Sequence, residues 1–170
     1  MIVRSKKVWT NKDIFVFFFN IVPERNGLSG TLAAELATLS NLQFLILEDG
    51  LISGTLPSEI GMITSLEVID LNFNFFAGEF PSSLYNLRNL RQLDLNDNLF
   101  SGTISTQIGQ LVALELLQVQ NNDMKGTIPT ELGLLQSLGK YFVFSYIPIL
   151  YEAPLNEIGA HLFPFYFISY

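Results

Sequence analysis

The sequence from residue 90 to residue 113 reads LRQLDLNDNLFSGTISTQIGQLVA, and the run from Asn26 to Leu138 repeats this pattern every 24 residues. Glycines recur at this interval, at Gly30, Gly54, Gly78, Gly102 and Gly126. Leucines recur in the same way, at Leu42, Leu66, Leu90, Leu114 and Leu138. A period of roughly 20 to 29 residues with leucines in fixed positions predicts a solenoid, in which each repeat forms one coil.

Each repeat contains the pattern of a short, half-buried strand. In one repeat Ile69 and Leu71 flank Asp70, which is the alternation expected when one face of a strand is in the core. Because neighbouring strands lie about 4.8 Å apart, equivalent residues of successive repeats should stack into ladders. Leucine ladders such as that of Leu66 and Leu90 should then form the core, each buried leucine contributing roughly 1.5 to 3 kcal/mol.

An asparagine follows the strand pattern in most repeats, at Asn26, Asn74, Asn98 and Asn122. Where the chain turns inside a solenoid, backbone N–H and C=O groups need partners, and a short amide can serve both kinds. Gly50 occupies this position in one repeat and has no side chain to do so. The second repeat is therefore predicted to be the weakest joint.

Glycine and proline occupy two further columns. The glycines are interpreted as positions where the backbone has a conformation closed to residues with a Cβ, or where coils approach closely. Pro57, Pro81 and Pro129 fix φ where no ladder hydrogen bond needs an N–H donor. Both columns are interpreted as structural.

These residues resemble the leucine-rich repeat family in its plant-type form of 24 residues, LxxLxxLxLxxNxLSGxIPxxLGxL. The match is good from Leu39 to Leu138 and looser from Phe15. The resemblance implies an α/β fold: a curved, right-handed solenoid with one short parallel strand per repeat on the concave face and irregular or 3₁₀ turns on the convex face. The family includes ectodomains of receptor-like kinases and secreted enzyme inhibitors, so the resemblance also implies a non-enzymatic interaction module.

The repeat divides the chain into an N-terminal flank (1–25), the leucine-rich repeat domain (26–138) and an off-pattern tail (139–170). In the flank, Phe15, Phe18 and Ile21 keep the phase of the repeat. We therefore expect a degenerate first repeat there. A signal-like targeting segment and an artefact of gene-model boundaries are the alternatives.

The tail contains ten aromatic residues and very few charges. A solenoid needs a polar cap over its last coil, and this composition is not that of a cap. Three interpretations are open: translated non-coding sequence, which is favoured, a hydrophobic flap folded over the open end, or a contact surface for another chain.

The chain has 16 Asp and Glu against 9 Lys and Arg, a net charge of −7. This balance argues against nucleic acid and anionic membrane surfaces as partners, since both require clustered basic side chains. There is no cysteine and no Asn-x-Ser/Thr glycosylation site. The resemblance implies a cell-surface or extracellular location, whereas these two absences leave a cytoplasmic location open. The longest apolar stretches fall short of the roughly 18 to 20 residues that a membrane span needs.

Catalytic and metal-binding patterns are weak. His161 is the only histidine and lies in the off-pattern tail, so a Ser-His-Asp triad is not expected. The runs 70–74 and 94–98 imitate the start of a calcium-binding loop, but both lack the glycine and the glutamate that complete it. We therefore expect no enzymatic activity, no metal and no cofactor.

The candidate site is the concave face, where the solvent-facing positions of the strands and of the turns after them are mostly acidic or amide residues. The predicted partner-binding residues are Glu48, Asp49, Asp70, Asn72, Phe73, Asp94, Asn96, Asp97, Gln118 and Gln120. Carboxylates on adjacent strands repel one another, and a basic protein or peptide would relieve that repulsion while Phe73 acts as an apolar anchor. The alternatives are a fragment of a cell-surface receptor-like protein and a structural repeat with a solvated face and no specific ligand.

Overall fold

A computed structural model describes residues 29–138 and the backbone of residues 142–143. The predictions for the N-terminal flank, including Phe15, Phe18 and Ile21, lie outside the described residues, as do those for Asn26 and His161. The division of the chain at residues 25 and 138 stays a prediction.

One parallel sheet contains the strands that the sequence predicts. They are β2 (Phe44–Ile46), β4 (Val68–Asp70), β6 (Gln92–Asp94), β8 (Leu116–Gln118) and β10 (Phe142–Val143), paired in this order. Up to β8 the register follows the 24-residue step, since Ile69 pairs with Leu93 and Leu93 with Leu117. At β10 the step is one residue longer, because Phe142 pairs with Leu117. The outward side of this sheet is the concave face.

A second parallel sheet, which the sequence did not predict, forms beside the first. Its strands are β1 (Ser29–Thr31), β3 (Leu51–Gly54), β5 (Phe75–Gly78), β7 (Leu99–Gly102) and β9 (Asp123–Met124), again in chain order. The second residue of β3, β5 and β7 is buried while the first is exposed. Each complete coil in the described region therefore has two strands where one was expected.

Each coil returns through a 3₁₀ helix. The five helices among the described residues are Ala34–Thr38, Ser58–Met62, Ser82–Asn86, Thr106–Gln110 and Thr130–Leu134. Pro57, Pro81 and Pro129 stand immediately before three of them with φ between −68° and −64°, as proline requires. Ser105 replaces proline before the fourth helix, and its Oγ accepts a hydrogen bond from Gln107 N at 3.2 Å. The serine therefore acts as an N-cap where proline is missing.

The core consists of the predicted ladders. Leu66, Leu90 and Leu114 have no exposed surface, and Leu71 and Leu95 are equally buried. The predicted α/β solenoid, with parallel strands on one face and 3₁₀ turns opposite, is confirmed.

The second sheet adds an aromatic stack to this core. Phe76 and Phe100 stack with ring centroids 5.9 Å apart, and Phe80 meets Phe100 edge-on at 5.1 Å. These are favourable geometries for aromatic pairs. The stack occupies a column where other repeats have Ile52 and Met124.

The asparagine column connects neighbouring coils. Asn98 Nδ2 donates to Leu71 O in the preceding coil at 2.9 Å and to Leu95 O and Asn96 O in its own coil at 3.3 and 3.1 Å. Its Oδ1 accepts from Phe76 N, again in the preceding coil, at 2.9 Å. Asn74 and Asn122 repeat this arrangement. The predicted role of these amides is confirmed.

Replacing Gly50 with Asn is expected to raise the melting temperature. By analogy with the other coils, an amide at position 50 would donate to Leu47 O and Glu48 O, three and two residues earlier. Asn74 already donates to Leu47 O, so the added bonds should contribute only about 1 kcal/mol. Thermal unfolding followed by circular dichroism measures the change. An unchanged or lower melting temperature would count against this repeat register.

The glycine column has the backbone conformation expected of it. Gly30, Gly54, Gly78, Gly102 and Gly126 all have positive φ, between 79° and 115°. A Cβ on Gly126 would also lie 2.9 Å from the Thr103 side chain. Both requirements favour glycine.

Candidate partner-binding surface

The register of the first sheet brings the predicted acidic residues together. Asp70 pairs with Asp94 across β4 and β6, and Asp94 pairs with Gln118 across β6 and β8. Ile46 precedes Asp70 in the same ladder. Two carboxylates therefore occupy adjacent strands at the centre of the concave face.

The predicted site residues differ in exposure. Asp49 and Phe73 are exposed, whereas Glu48, Asp70, Asn72, Asp97, Gln118 and Gln120 are half-buried. Asp94 and Asn96, which were expected to face solvent, are buried, with 6% and 8% of their surfaces exposed. That expectation was wrong. Asp94 accepts a hydrogen bond from Asn96 N, and Asn96 donates to Asp97, so both side chains are turned towards neighbouring groups of the protein and away from solvent.

Hydrogen bonds hold this surface in one arrangement. Asp94 Oδ1 accepts from Asn96 N at 3.2 Å, and Asp70 Oδ1 accepts from Asn72 N at 3.3 Å. Asn96 Nδ2 donates to Asp97 Oδ2 at 2.8 Å. Each aspartate therefore accepts a bond from the backbone two residues later, a local arrangement that aspartate favours.

Both central carboxylates are harder to ionise than usual. Burial raises the pKa of Asp70 from 3.8 to about 6, and the negative charges of Asp94 and Glu48 add to the effect while the Asn72 N–H opposes it. Burial also raises the pKa of Asp94, the charges of Asp97 and Glu48 raise it further, and hydrogen bonds from Asn96 and Asn72 oppose the rise. The concave face therefore holds negative charge unfavourably at neutral pH.

Replacing Asp70 and Asp94 together with Asn is expected to stabilise the protein at neutral pH. Because the folded-state pKa of Asp70 is about 6 against 3.8 unperturbed, the folded state loses stability as pH rises from about 4 to 6, and the whole penalty remains above that range. The melting temperature of Asp70→Asn/Asp94→Asn should exceed that of the wild type most at pH 7.5 and least near pH 4. An equal difference at all pH values would contradict the raised pKa values.

Two acceptors on this face have no donor. The buried atoms Asn96 Oδ1 and Gln120 Oε1 have no hydrogen-bond partner within the described region. Buried acceptors without a donor are unfavourable by about 1 to 3 kcal/mol each. These two oxygens therefore reduce the stability of the fold beneath the concave face.

Basic residues are scarce around these acceptors. Between residues 29 and 138 the sequence has 12 Asp and Glu but only 3 Lys and Arg, a net charge of −9. On the flank of the concave face, Arg91 lies 3.7 Å from Glu67 and 3.4 Å from Glu115. Its charge is already shared between two carboxylates, and no ion pair to Asp70 or Asp94 forms among residues 29–138.

Phe73 has an unusual backbone. Its φ is 52°, in the left-handed region, and its side chain is 55% exposed. Asp49, Asp97 and Asn121 have the same conformation at the equivalent turn. Asp and Asn tolerate this region better than bulky residues do, so the turn accepts Phe73 under strain.

The described residues contain no group of three or more His, Cys, Asp or Glu side chains arranged to hold a metal ion. None of the helices in residues 29–138 is long and apolar enough to cross a membrane. The geometry of this part of the chain is that of a polar, acidic surface on a rigid sheet.

Comparison with protein families gives a match to the Leucine Rich Repeat model at residues 65–87 and 89–111. A comparison with curated protein sequences gives no significant match.

Solved structures with similar folds include ectodomains of plant receptor kinases. The ectodomain of the receptor kinase SOBIR1 from Arabidopsis thaliana is 33% identical, with a TM-score of 0.66 over 72% of this chain and 64% of that one. A chain of the BIR3–SERK2 complex from Arabidopsis thaliana is 30% identical, with a TM-score of 0.62 over 74% of this chain and 68% of that one.

A third similar structure is the Arabidopsis receptor kinase HAESA in complex with the peptide hormone IDA and the co-receptor SERK1. It is 29% identical, with a TM-score of 0.64 over 70% of this chain and 21% of that one. The chain spans 15 to 21% of the length of this and other large receptor structures that it matches.

Proposed function

Because this chain belongs to the plant-type leucine-rich repeat family, we propose that it binds a protein or peptide partner through its concave face. Its fold is similar to that of receptor ectodomains, one of which holds a peptide hormone. Such a fold is typically a non-enzymatic interaction scaffold. The proposal applies equally to the chain acting alone and to the same coils within a longer receptor-like protein.

The observation that supports the proposal most is the pair of carboxylates of Asp70 and Asp94, which form no ion pair among the described residues. The two aspartates lie on paired positions of adjacent strands and have raised pKa values. A Lys or Arg side chain would bring both the positive charge and the N–H donors that these groups lack.

The partner is therefore expected to present basic side chains to this face. A guanidinium suits the site better than an ammonium, because its five N–H donors lie in one plane and can engage several oxygens at once. Phe73 would contact an apolar part of the same partner. Its strained backbone supports this role, since strain retained at an exposed residue is often linked to function.

Peptide binding provides the test. Fluorescently labelled synthetic peptides that carry Arg should bind the wild type more tightly than matched peptides with Gln in place of Arg. Asp70→Asn/Asp94→Asn should reduce this binding about tenfold, equivalent to roughly 1.4 kcal/mol. Fluorescence anisotropy at low and high salt measures both effects, and the preference for Arg should weaken at high salt.

A matched control removes two carboxylates elsewhere. Glu59 and Glu131 lie on the 3₁₀ helices Ser58–Met62 and Thr130–Leu134, so Glu59→Gln/Glu131→Gln changes the net charge equally without altering the concave face. This control should bind Arg peptides like the wild type. Equal losses in the two double variants would mean that net charge, not the concave face, attracts the peptides. If Arg peptides bind no better than their Gln counterparts, the proposal of a basic partner is wrong.

A further inference from the structure

A second exposed feature lies where the turn after the first sheet leads into the second sheet. Leu51, Phe73, Phe75 and Leu99 are 38%, 55%, 47% and 47% exposed, and we call these four residues the apolar edge patch. They account for four of the seven large apolar residues that are exposed in the described part of the chain. Leu51, Phe75 and Leu99 were not identified from the sequence, although each directly precedes a buried apolar residue in a strand.

The stacking of the coils makes these residues diagonal neighbours, because Phe75 pairs with Ser53 and Leu99 pairs with Ala77, two residues after Leu51 and Phe75 respectively. Leu51, Phe75 and Leu99 are the first residues of β3, β5 and β7, which are neighbours in the second sheet. Phe73 O accepts a hydrogen bond from Gly50 N at 3.0 Å, so Phe73 lies beside the residue that precedes Leu51. Diagonal neighbours on adjacent strands lie about 7 to 8 Å apart, a distance that aromatic and long aliphatic side chains can cover, so the four side chains can form one contiguous surface.

The fold does not require apolar residues at these positions. Asp123 occupies the column of Leu51, Phe75 and Leu99 in the last described coil and is exposed. In the column of Phe73 the other coils have polar residues with the same positive φ. Contiguous exposed apolar surface that folding does not require is characteristic of interaction sites.

Negative charges surround the patch. Asp49 and Asp97 occupy the turn position of Phe73 in the coils before and after it. Asp97 O accepts a hydrogen bond from Asn74 N at 3.2 Å, which places Asp97 next to the residue between Phe73 and Phe75. Asp123 lies one repeat after Leu99 and pairs with Ser101 across β7 and β9, which makes it a diagonal neighbour of Leu99. A partner with basic side chains on either side of an apolar one would therefore be complementary in charge as well as in polarity.

We propose that the apolar edge patch is a second docking surface, distinct from the ladder of Asp70 and Asp94, for a partner segment in which an aromatic or aliphatic side chain is flanked by Lys or Arg. The apolar side chain would pack on Phe75 and Leu99 in the manner of an interface core. The flanking cations would lie against Asp49, Asp97 and Asp123, forming a polar rim. The patch borders the concave face at Phe73, which the proposed function also uses, whereas Phe75 and Leu99 belong to the second sheet.

The test uses three labelled synthetic peptides and fluorescence anisotropy. The first peptide carries one Phe between two Arg residues, the second replaces Phe with Ser, and the third replaces both Arg with Glu. The first peptide should bind the wild-type chain, and each change to the peptide should weaken binding at least about fivefold. Phe75→Ser/Leu99→Ser should weaken binding of the first peptide by a similar factor.

Matched controls separate this surface from the rest of the molecule. Met62 and Val112 are exposed apolar residues outside the patch, so Met62→Ser/Val112→Ser should bind the first peptide like the wild type. Far-ultraviolet circular dichroism and melting curves verify that every variant folds. The proposal is wrong if the first peptide does not bind or if both serine double variants bind it equally.

Two further outcomes would also overturn the proposal. Loss of binding in Asp70→Asn/Asp94→Asn without loss in Phe75→Ser/Leu99→Ser would place the peptide on the concave face, which would support the proposed function while excluding this second surface. Sedimentation equilibrium tests for a second copy of the chain as the occupant. A wild type that self-associates through Phe75 and Leu99, becoming monomeric in the double variant, would exclude a basic partner segment as the ligand of this patch.

Discussion

Replacing Asn98 with Ala is expected to lower the free energy of unfolding by about 3 kcal/mol or more. The substitution leaves the buried Phe76 N–H without the acceptor that Asn98 Oδ1 provides. The three carbonyls that Asn98 Nδ2 bonds are affected less, because each has a second donor. Leu71 O and Leu95 O accept from other asparagines of the ladder, and Asn96 O accepts from Phe73 N. Urea unfolding followed by circular dichroism measures the loss.

Asn89 provides the matched control. Its Nδ2 also donates to a backbone carbonyl of the preceding coil, Thr64 O, at 2.9 Å, but this bond is exposed to solvent. Water can replace the lost donor there, so Asn89→Ala should change the free energy of unfolding by less than about 1 kcal/mol. Equal losses at positions 98 and 89 would show that the asparagine ladder contributes no more than a surface hydrogen bond does.

Replacing Gly61 with Ala is expected to have a comparable effect for a different reason. A Cβ at this position would lie 2.1 Å from Ser83 O and 2.6 Å from Ser83 C, both backbone atoms of the next coil. The 3₁₀ helices Ser58–Met62 and Ser82–Asn86 would have to separate, which should lower the free energy of unfolding by about 3 kcal/mol or more. The melting temperature of the variant measures the effect.

The same column supplies graded controls. A Cβ on Gly133 would meet no atom within 4 Å, and one on Gly109 would meet the Glu131 Cβ at 3.1 Å. Gly133→Ala should therefore be neutral or stabilise the protein by up to about 1 kcal/mol, because alanine restricts the unfolded chain. Gly109→Ala should fall between the two. A different order of stability would contradict the close stacking of the convex helices.

The sequence predicted the first sheet and its register because the repeat itself sets them. Ile69 and Leu93 are 24 residues apart and pair directly, as any regular stack of equal coils requires. The conformation of Gly54 and its equivalents followed from the same reasoning, since glycines at a regular spacing in one chain indicate one recurring backbone geometry. The alternation of apolar residues within each repeat and the 24-residue spacing between repeats predict the same sheet, and this agreement makes the prediction dependable.

The second sheet could not be identified in the same way. In β3 both Leu51 and Ile52 are apolar, and in β5 both Phe75 and Phe76 are, so the alternation of a half-buried strand is hidden in a segment of four residues. These short segments form strands because stacking brings them alongside one another, not because of a strong local preference. Single-sequence reasoning has little to detect there.

The sequence predicted which residues line the candidate site but not how deeply each one is buried. The ladder of Asp70 and Asp94 follows from the register, yet the burial of Asp94 depends on how its side chain turns towards neighbouring groups of the protein. The missing donors of Asn96 and Gln120 likewise depend on rotamers that no spacing specifies. The sequence therefore predicted which polar residues form the surface, but it did not predict their burial or the raised pKa values of the aspartates.

The central claim is that the concave face binds a positively charged partner. The most direct test is a pH titration of Asp70 in which NMR detects the side-chain carboxyl carbon. The structure predicts a midpoint of about pH 6 in the free protein, and a lower midpoint once an Arg-bearing peptide is bound, because a nearby positive charge favours the ionised form. A midpoint near the ordinary value of 3.8, unchanged by the peptide, would contradict the account.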